Sequence, residues 1–492
     1  MQEHFDVIIV GSGLSGINAA YRVQNSCRGK SYVILEGRDA IGGTWDLFRY
    51  PGIRSDSDMF TFGYPFRPWE SNAAIADGES IRTYIRETAE AYGIDRKIRF
   101  RHRVKSASWS SADAVWTIEA ERGADHEPVR FTCNFLFGCT GYYDYAGGYT
   151  PEFAGVAQFK GRVVHPQQWP EDLDYNGKRV VVIGSGATAV TIIPVIAQTA
   201  AHVTMLQRSP TYIVSRPTDD ALVEGLRRYL PTGIASSIAR WYHVLFGLYF
   251  FNLSRRKPEA VKQWIVRQAQ AQLGADYDVK THFTPRYNPW DQRLCLAPDA
   301  DFFKAIKAGK ADVVTDQIAT FTETGIRLQS GRELTADIVV TATGLKLQLL
   351  GGIQILVDGK PVRLGETMNF RGVMFSDVPN LFGAFGYTNA SWTLKSDLTS
   401  AYVARLINYM NRRGYVVCTP RQRDASVVPQ PLIDFSSGYI QRGLDQLPRQ
   451  GSKKPWRLHQ NYVWDLLSLR FGSVNDGALE FSRRSEADKR AA

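Results

Sequence analysis

The chain of 492 residues is long enough for two or three lobes with buried cores, and its composition, 44% hydrophobic and 22% charged, is typical of folded globular proteins. Its net charge of +10 comes from scattered lysines and arginines, which favour a solvated basic face and would also suit phosphate-bearing ligands or an anionic surface; no basic, aromatic-lined stripe indicates nucleic-acid binding. The eight histidines show no ligand spacing and the five cysteines form no Cys-x-x-Cys pair, so we expect no metal and a reducing compartment, the cytoplasm.

The first predicted unit is a strand, a glycine-rich turn and a helix at the start of the chain. Residues 6–10 form an apolar run that predicts a buried parallel strand, and GSGLSG at 11–16 then opens a helix to about Gln24. The free N–H groups of such a helix start favour a pyrophosphate, and the Ser15 hydroxyl can add a donor. A second strand at 32–35 ends at Glu36, where a carboxylate is expected to hold a ribose hydroxyl. The pattern predicts a dinucleotide site.

A second unit of the same kind begins at residues 179–183 and continues with GSGATA at 184–189. Its next strand, at 202–206, ends in Gln207 and Arg208 rather than in an acid. A carboxylate at this position would repel the 2′-phosphate of NADPH. An arginine in its place can donate two hydrogen bonds to that phosphate, so this site is expected to prefer NADPH. One acidic and one basic dinucleotide site in a single chain indicate FAD in the first and NADPH in the second.

The segments around these units predict a mixture of strands and helices. A helix is predicted at 79–92, and strands at 98–104, 115–120, 129–133 and 135–141. Two Thr-Gly turns, at 140–141 and 343–344, are expected to return the chain to the nucleotide sites. The last third predicts a hairpin at 353–362 and a helix at 394–412.

Residues 219–273 are expected to be helical and contain the apolar, aromatic run WYHVLFGLYFF at 241–251, with Arg255-Arg256-Lys257 close behind. The favoured interpretation is a helix packed over the cofactor domain or a subunit contact. The alternative is an interfacial helix that makes peripheral membrane contact through residues 241–257. Eleven residues are too short to span a bilayer.

A fingerprint connects the two units. It is formed by Phe159, Gly161, His165 and Trp169-Pro170, in the pattern Phe-x-Gly-xxx-His-xxx-Trp-Pro directly before the second glycine-rich turn. In this the chain resembles the type I Baeyer–Villiger monooxygenases, within the class B flavoprotein monooxygenases. It is most similar to the ethionamide-activating type, through GGTWDLFRYPGIRSDSDMFTFGYPFRPW (42–69), YNPWDQRLCL (287–296) and GYTNASWTLKSDL (386–398). The similarity runs from Phe5 to about Tyr462.

The resemblance implies that ketones are converted to esters or lactones with NADPH and O2 through a C4a-peroxyflavin. Because a protonated peroxide is an electrophile, soft sulfur nucleophiles such as sulfides and thioamides are expected as second substrates. The resemblance also implies Arg293 as the catalytic arginine, with Asp56 as its ion-pair partner. His165 and Trp169 are expected on the domain linker, coupling domain motion to the reaction. The implied FAD-binding residues are Gly11, Gly13, Ser15, Gly16, Glu36, Thr44, Trp45, Asp46, Leu47, Asp56 and Val104. The implied NADPH-binding residues are Arg54, Ile183, Gly184, Ser185, Gly186, Ala187, Thr188, Ala189, Gln207 and Arg208.

Two departures from the cyclic-ketone branch of that family bear on function. Gln292 stands where that branch has a lysine that helps to hold the 2′-phosphate, so the grip on NADPH is expected to depend more on Arg208. Asp46 and Leu47 stand where that branch has two aromatic residues. Cyclic ketones are therefore not carried over as substrates.

The predicted fold is α/β, with two Rossmann-like dinucleotide-binding domains, the second inserted in the first. The FAD domain is expected at 1–150 and 346–492, and the NADPH domain at 151–345, with a helical subdomain at about 216–290. The cavity walls are expected in the loop at 50–69 and in the region after Trp392.

Three other function classes are alternatives to a Baeyer–Villiger monooxygenase. A flavin-containing monooxygenase that oxygenates only nitrogen or sulfur would share both nucleotide sites but have less need of Arg293. A flavin disulfide reductase would need a redox cysteine pair, which the sequence lacks. A non-catalytic protein that binds NADPH or is recruited to a membrane would bind cofactor without turning it over.

Overall fold

The structure is a computed structural model that describes residues 3–433 and 435–483. The outer ends of the predicted FAD domain, residues 1–2 and 484–492, lie outside the described residues.

The elements fall into three consecutive stretches of chain. The first contains the strands and helices Glu3–Val10 (β1), Leu14–Ser26 (α1), Tyr32–Leu35 (β2), Thr44–Leu47 (α2), Met59–Phe62 (α3), Gly78–Ala91 (α4), Ile98–Arg99 (β3), His102–Ser110 (β4), Val115–Arg122 (β5) and Glu127–Gly138 (β6). The second contains Arg162–Val164 (β7), Arg179–Ile183 (β8), Ala187–Ile196 (α5), His202–Gln207 (β9), Ile213–Arg216 (β10), Ala221–Tyr229 (α6), Thr232–Arg256 (α7), Pro258–Leu273 (α8), Val279–His282 (α9), Cys295–Pro298 (β11), Asp301–Lys307 (α10), Ala311–Thr315 (β12), Ile318–Thr322 (β13), Gly325–Leu328 (β14), Glu333–Thr335 (β15) and Ile338–Thr341 (β16). The third contains Gln354–Val357 (β17), Lys360–Pro361 (β18), Asn369–Phe370 (β19), Met374–Phe375 (β20), Leu381–Gly383 (β21), Trp392–Arg413 (α11), Val417–Pro420 (β22), Pro429–Pro431 (β23), Gly438–Gly443 (α12), Arg449–Gly451 (β24), Tyr462–Asp465 (α13) and Leu479–Ser482 (β25).

Among the residues that the structure describes, the larger sheet has eleven strands, and its central path runs β18-β17-β4-β5-β6-β1-β2-β3. Strands β6, β1, β2 and β3 pair in parallel, whereas β4, β5 and β6 form an antiparallel meander. Alternate residues of β1 face opposite cores: Val7 and Ile9 pack with helices α1, α4 and α11, and Ile8 and Val10 pack on the other face. Burial on both faces is what makes β1 a continuous apolar run.

The second sheet has five parallel strands in the order β12-β9-β8-β16-β7, the arrangement of a nucleotide-binding unit. Its strands come from the middle stretch of the chain, whereas the larger sheet takes strands from the stretches before and after it. The predicted α/β fold, with one dinucleotide-binding unit inserted in the other, is confirmed.

Two chain crossings connect the two sheets, and they run alongside each other. Tyr143 and Leu347 form an antiparallel bridge between the crossings. The amide of Asp144 donates to the carbonyl of Lys346 at 2.9 Å, and the amide of Tyr149 donates to the carbonyl of Gly344 at 3.0 Å. The crossings therefore form one hydrogen-bonded ribbon.

Two strand predictions differ from the structure. The predicted strand at 98–104 is broken at Arg101, whose φ of 56° lies in the left-handed region. The break lets β3 pair with β2 while β4 turns to pair with β5. The predicted strands at 129–133 and 135–141 are instead one strand, β6, of 12 residues.

The region predicted to be helical, residues 219–273, forms helices α6 to α8, and the apolar run at 241–251 lies within α7, a helix of 25 residues. Helix α7 packs against α3, α6 and α8. In the part of the chain that the structure describes, no helix is long and apolar enough to cross a membrane.

Candidate active site

The first glycine-rich turn connects β1 to α1. Helix α1 begins after Gly13, which provides no side-chain cap, so its first N–H groups are open to a ligand. A Cβ on Gly13 would lie 3.3 Å from the Cα of Gly43, so the two glycine segments approach each other closely. The surface of the turn is therefore formed by backbone atoms. The turn has the form that a pyrophosphate needs.

Gly16 sits where helix α1 meets the turn, and a Cβ at this position would lie 1.8 Å from the carbonyl oxygen of Gly11. We expect Gly16→Ala to lower the free energy of unfolding by about 1–3 kcal/mol and to lower the flavin content of the purified protein, because the backbone must move apart to admit a methyl group. The thermal midpoint and the visible flavin absorbance measure both effects. Gly225→Ala, in helix α6, is the matched control and should keep its flavin, because an added Cβ there would meet no atom from outside its own helical segment within 4 Å. Normal flavin content in Gly16→Ala would contradict the assignment of this turn.

Glu36 follows β2 and is 6% exposed. One carboxylate oxygen accepts from the Ser12 amide at 2.7 Å and the Ser12 hydroxyl at 2.9 Å, and the other accepts from the Arg38 amide at 2.9 Å. These bonds fix the carboxylate, and the oxygen that accepts only from the Arg38 amide retains capacity for a further donor. The geometry fits a ribose hydroxyl.

A cavity of about 630 Å³ lies between the two units. This volume is within the range of ligand sites. Its walls include residues of the first unit predicted for FAD or nicotinamide, namely Gly11, Gly13, Ser15, Glu36, Thr44, Trp45, Arg54, Asp56 and Val104. From the second unit they include Ala187, Thr188, Trp290 and Arg293.

Three residues predicted for FAD, Gly16, Asp46 and Leu47, lie outside this lining. Asp46 is 2% exposed, and its carboxylate pairs with Arg38 at 2.7 Å, Arg49 at 2.6 Å and Arg82 at 3.4 Å. Its side chain therefore holds three arginines in place around helix α2. One of them, Arg38, lines the cavity and was not singled out from the sequence.

The second glycine-rich turn joins β8 to α5, and Gly186 likewise leaves the helix start without a side-chain cap. Ile183 and Ala189 are buried, whereas Arg208 is exposed just after β9. The Ser185 hydroxyl donates to the carbonyl of Ser209 at 3.1 Å and so ties the turn to the residue after Arg208.

Gln207 points away from solvent and is 1% exposed. Its amide nitrogen donates to the carbonyl of His282 and to the hydroxyl of Thr315, both at 2.8 Å. The side chain of Gln207 thus holds α9 and β12 to the end of β9, which leaves Arg208 as the side chain presented at this edge.

The Arg293 guanidinium donates to the Asp56 carboxylate at 2.6 Å, across the junction of the two units. The negative charge of Asp56 raises the pKa of Arg293 well above its usual value, against the opposing effect of burial. The side chain is about one-third exposed because it borders the cavity. Its Nε is buried and, within the described chain, has no hydrogen-bond partner, so a donor is left for a ligand.

A tyrosine cluster adjoins Arg293. The hydroxyl oxygens of Tyr142 and Tyr143 lie 2.7 Å apart. The Tyr142 ring stacks on Trp392, with centroids 5.0 Å apart, and the Trp392 indole donates to the Ser15 hydroxyl at 2.8 Å. Burial raises the pKa of Tyr143 well above its usual value and that of Tyr439 to about 12, so these phenols remain protonated at neutral pH. The predicted Thr-Gly return at 140–141 was the sequence signal that could have located Tyr142 and Tyr143.

A second, apolar pocket of about 60 Å³ adjoins the large cavity, and Arg293 and Tyr142 line both. Its remaining walls are mainly Leu347, Leu349, Phe385, Leu432, Phe435, Tyr439, Ile440, Leu447 and Leu458. The cavity walls are predicted in the loop at 50–69 and in the region after Trp392. Residues 50 to 62 of that loop line part of the large cavity. Residues 432–460, which follow Trp392 in the chain, form much of the apolar pocket.

Arg54 lines the large cavity and pairs with Asp301 at the start of α10, a second ion pair between the units. Its guanidinium also approaches the carbonyl of Leu296 at 3.5 Å.

The fingerprint residues lie on the chain that enters the second unit. The Nδ1 of His165 accepts from the Gln167 amide at 3.1 Å, and its Nε2 donates to the carbonyl of Gly344 at 3.2 Å. Burial lowers the pKa of His165, which favours the neutral ring that this pair of bonds requires. Phe159 packs in the core beneath the second sheet, and a Cβ on Gly161 would lie 2.4 Å from the carbonyl of Asp337. Trp169 packs on the other face of that sheet.

Residues 3–433 and 435–483 contain no group of three or more histidine, cysteine or acidic side chains that could hold a metal ion. The five cysteines are free thiols and all are buried.

Comparisons with known proteins agree with this geometry. Residues 6–350 match the family model described as flavin-binding monooxygenase-like. The FAD-containing monooxygenase EthA of Mycolicibacterium smegmatis is 54% identical over 488 residues, which cover 99% of each chain. Among solved structures, an oxidized steroid monooxygenase bound to NADP has a TM-score of 0.75 at 22% identity and covers 98% of this chain and 100% of its own. OTEMO in complex with FAD and NADP has a TM-score of 0.73 at 20% identity, with the same coverage. These two structures show the same fold, and the match over residues 6–350 shows that the chain belongs to the flavin-binding monooxygenase-like family.

Proposed function

We propose that this protein is a Baeyer–Villiger monooxygenase, in which a ketone, O2, NADPH and a proton give an ester or lactone, water and NADP⁺. The observation that carries the proposal is the position of Arg293: a guanidinium that Asp56 keeps charged lies where the cofactor cavity meets an apolar pocket.

The first unit is proposed to hold FAD through the turn at Gly11, Gly13 and Gly16, with Glu36 on the ribose and the backbone at Val104 near the adenine end. FAD, once bound, supplies chemistry that no side chain can perform, since it takes a hydride from NADPH and activates O2. The second unit is proposed to hold NADPH through the turn at 183–189 and Arg208. Gln207 contributes by fixing the end of β9, and Arg54 lies on the cavity wall toward the nicotinamide.

Arg293 and the apolar pocket are proposed to direct the oxygen to a ketone. Attack on a carbonyl carbon develops negative charge on oxygen, and a guanidinium that cannot deprotonate stabilises that charge throughout the reaction. The hydrogen-bonded hydroxyls of Tyr142 and Tyr143 offer a donor beside Arg293. The leucine and phenylalanine walls exclude water and hold the apolar arms of the substrate.

Sulfides and thioamides are proposed as second substrates, because an electrophilic oxygen also reacts with soft sulfur. The alternative function, a flavin-containing monooxygenase that acts only on nitrogen or sulfur, would use the same cofactor cavity. The charged Arg293 at the mouth of the apolar pocket favours the ketone reaction, which needs a stabilised anion, over that alternative.

We propose domain limits of 1–150 and 346–492 for the FAD domain and 151–345 for the NADPH domain, with the helical subdomain near 216–290. The separate strand sets of the two sheets support these limits. Free, buried cysteines support a cytoplasmic location, and a peripheral membrane contact is proposed through residues 241–257.

The test is to incubate the FAD-loaded protein with NADPH, ¹⁸O₂ and a linear methyl ketone and to analyse the ester product by mass spectrometry. We expect one labelled oxygen in the ester. NADPH consumption that yields only hydrogen peroxide with ketones, together with labelled sulfoxide from a sulfide, would instead identify the heteroatom oxygenase.

A further inference from the structure

One face of helix α7 is apolar and exposed. Its members recur at intervals of three and four residues, so they form a single stripe along the helix. Each of these side chains is at least about one-third exposed: Ile234 52%, Ile238 42%, Trp241 41%, Tyr242 46%, Leu245 55%, Phe246 36% and Tyr249 64%. We call these seven residues the α7 face. An exposed apolar stripe of this length marks an interaction surface.

The opposite side of α7 is anchored in the protein. Ala235 and Ala239 are fully buried, and the Arg240 guanidinium donates to the carbonyls of Phe60 and Gly63 at 3.2 and 2.8 Å. Helix α7 is therefore packed on the protein, and the exposure of the α7 face does not arise from a helix that stands away from it.

The anchored side of α7 also touches the active site. Val244 packs in one cluster with Tyr387, and the ring of Phe251 meets that of Trp290 edge-on at 5.6 Å. Tyr387 and Trp290 both line the large cavity. The α7 face thus lies one helix thickness from the cavity wall.

The surroundings of the α7 face are basic. Residues 221–273 contain eight lysines and arginines and two glutamates, so this tenth of the chain carries +6 of the net charge of +10. Arg228, Arg256 and Lys257 are exposed and make no ion pair with any residue that the structure describes. Positive charge therefore predominates in the helical segment that contains the apolar stripe.

An apolar, aromatic helix face bordered by basic side chains fits an anionic lipid surface, where the rings enter the headgroup region and the cations meet phosphates. A second copy of the chain fits less well. In a symmetric dimer each patch would face its own copy, and the exposed cations Arg228, Arg256 and Lys257 of the two copies would repel each other.

We propose that the α7 face docks on an anionic lipid bilayer and that the enzyme takes its apolar ketone substrate from that bilayer, a step that rests on the function proposed above. The docked helix lies flat in the interface. The membrane then concentrates a long-chain ketone beside the cavity wall that α7 supports.

The first test measures binding without turnover. The FAD-loaded full chain is sedimented with vesicles of equal parts phosphatidylglycerol and phosphatidylcholine, and with vesicles of phosphatidylcholine alone. We expect binding to the anionic vesicles that weakens with salt, and a loss of at least about tenfold in Leu245→Gln/Tyr249→Gln. The matched control is Val428→Gln/Phe471→Gln, whose side chains are 59% and 69% exposed outside α7 and which should bind like the wild type.

Absence of wild-type binding to anionic vesicles, or unchanged binding by Leu245→Gln/Tyr249→Gln, would overturn the proposal. So would a wild-type dimer in sedimentation velocity that the same substitutions convert to a monomer, since the face would then bind a second copy.

The second test separates docking from catalysis. Leu245→Gln/Tyr249→Gln should oxidise a short, water-soluble methyl ketone like the wild type, and should lose about tenfold in kcat/KM for a long-chain ketone carried in anionic vesicles. Equal rates on the vesicle-borne ketone would overturn the delivery step. Failure of every variant and of the wild type on the soluble ketone would instead overturn the proposed reaction and leave the vesicle-binding result standing.

Discussion

Arg293→Ala is expected to lower the kcat/KM for ester formation by about 10³-fold, the loss typical of removing one group that stabilises charge in a transition state. The variant removes the positive charge at the border of the two cavities and leaves the Asp56 carboxylate without its partner. Ester yield from a methyl ketone, measured by mass spectrometry under NADPH saturation, gives the effect. Flavin content should be unchanged, because Arg293 is not part of either glycine-rich turn.

The same variant separates the two monooxygenase functions. A Baeyer–Villiger enzyme should lose ester formation while sulfide oxygenation, which involves no carbonyl attack, persists in greater part. Arg293→Lys should recover only a fraction of the activity, because an ammonium retains charge but lacks the planar fork that meets Asp56. Arg286→Ala is the matched control, since Arg286 is an exposed arginine of the same loop. Wild-type ester formation in Arg293→Ala would contradict the assigned role.

Arg208→Ala is expected to raise the KM for NADPH by about 10- to 100-fold, the equivalent of one charge-assisted contact to a phosphate. The KM for NADH should change little, because NADH has no 2′-phosphate. Arg208 is exposed at the end of β9, whereas the Gln207 side chain is bound to His282 and Thr315. Initial rates with both coenzymes in one assay give the selectivity directly.

Arg332→Ala serves as the control for Arg208→Ala, because Arg332 is an exposed arginine in the turn before β15 of the same unit. It should keep the wild-type preference. An equal loss with NADH and NADPH in Arg208→Ala would mean that Arg208 maintains the fold of the site and does not hold the phosphate.

The elements that could be predicted from the sequence are those in which local rules decide the structure. The two strand, turn and helix units and the α/β fold follow from β-branched runs and glycine spacing, and the predicted flavoprotein monooxygenase family is confirmed by the match over residues 6–350. The sequence spacing predicts an acidic residue directly after β2, and in the structure this residue, Glu36, is buried and held by hydrogen bonds.

The remainder depends on contacts between distant parts of the chain. Asp46 lies in a segment implied to bind FAD, yet its carboxylate is taken by three arginines, one of them Arg82 from helix α4. Apart from Tyr142 and Arg293, the walls of the apolar pocket come from residues between 347 and 460, far in sequence from Arg293. The periodicity and spacing of residues in the sequence do not show which loops contact each other, so the shape of the pocket could not be predicted from them. The roles assigned to individual site residues stay predictions.

The ribbon formed by the two chain crossings has a mechanical consequence. Because Tyr143 bridges Leu347 and the crossings share backbone hydrogen bonds, the two units are connected by one hinge and not by two independent tethers. Two ion pairs, Asp56–Arg293 and Arg54–Asp301, also join the two units beside the cavity. Any rotation of one unit against the other about the ribbon would have to separate both pairs. One of them contains Arg293, so in the proposed reaction this arginine would keep its partner only while the two units hold this arrangement.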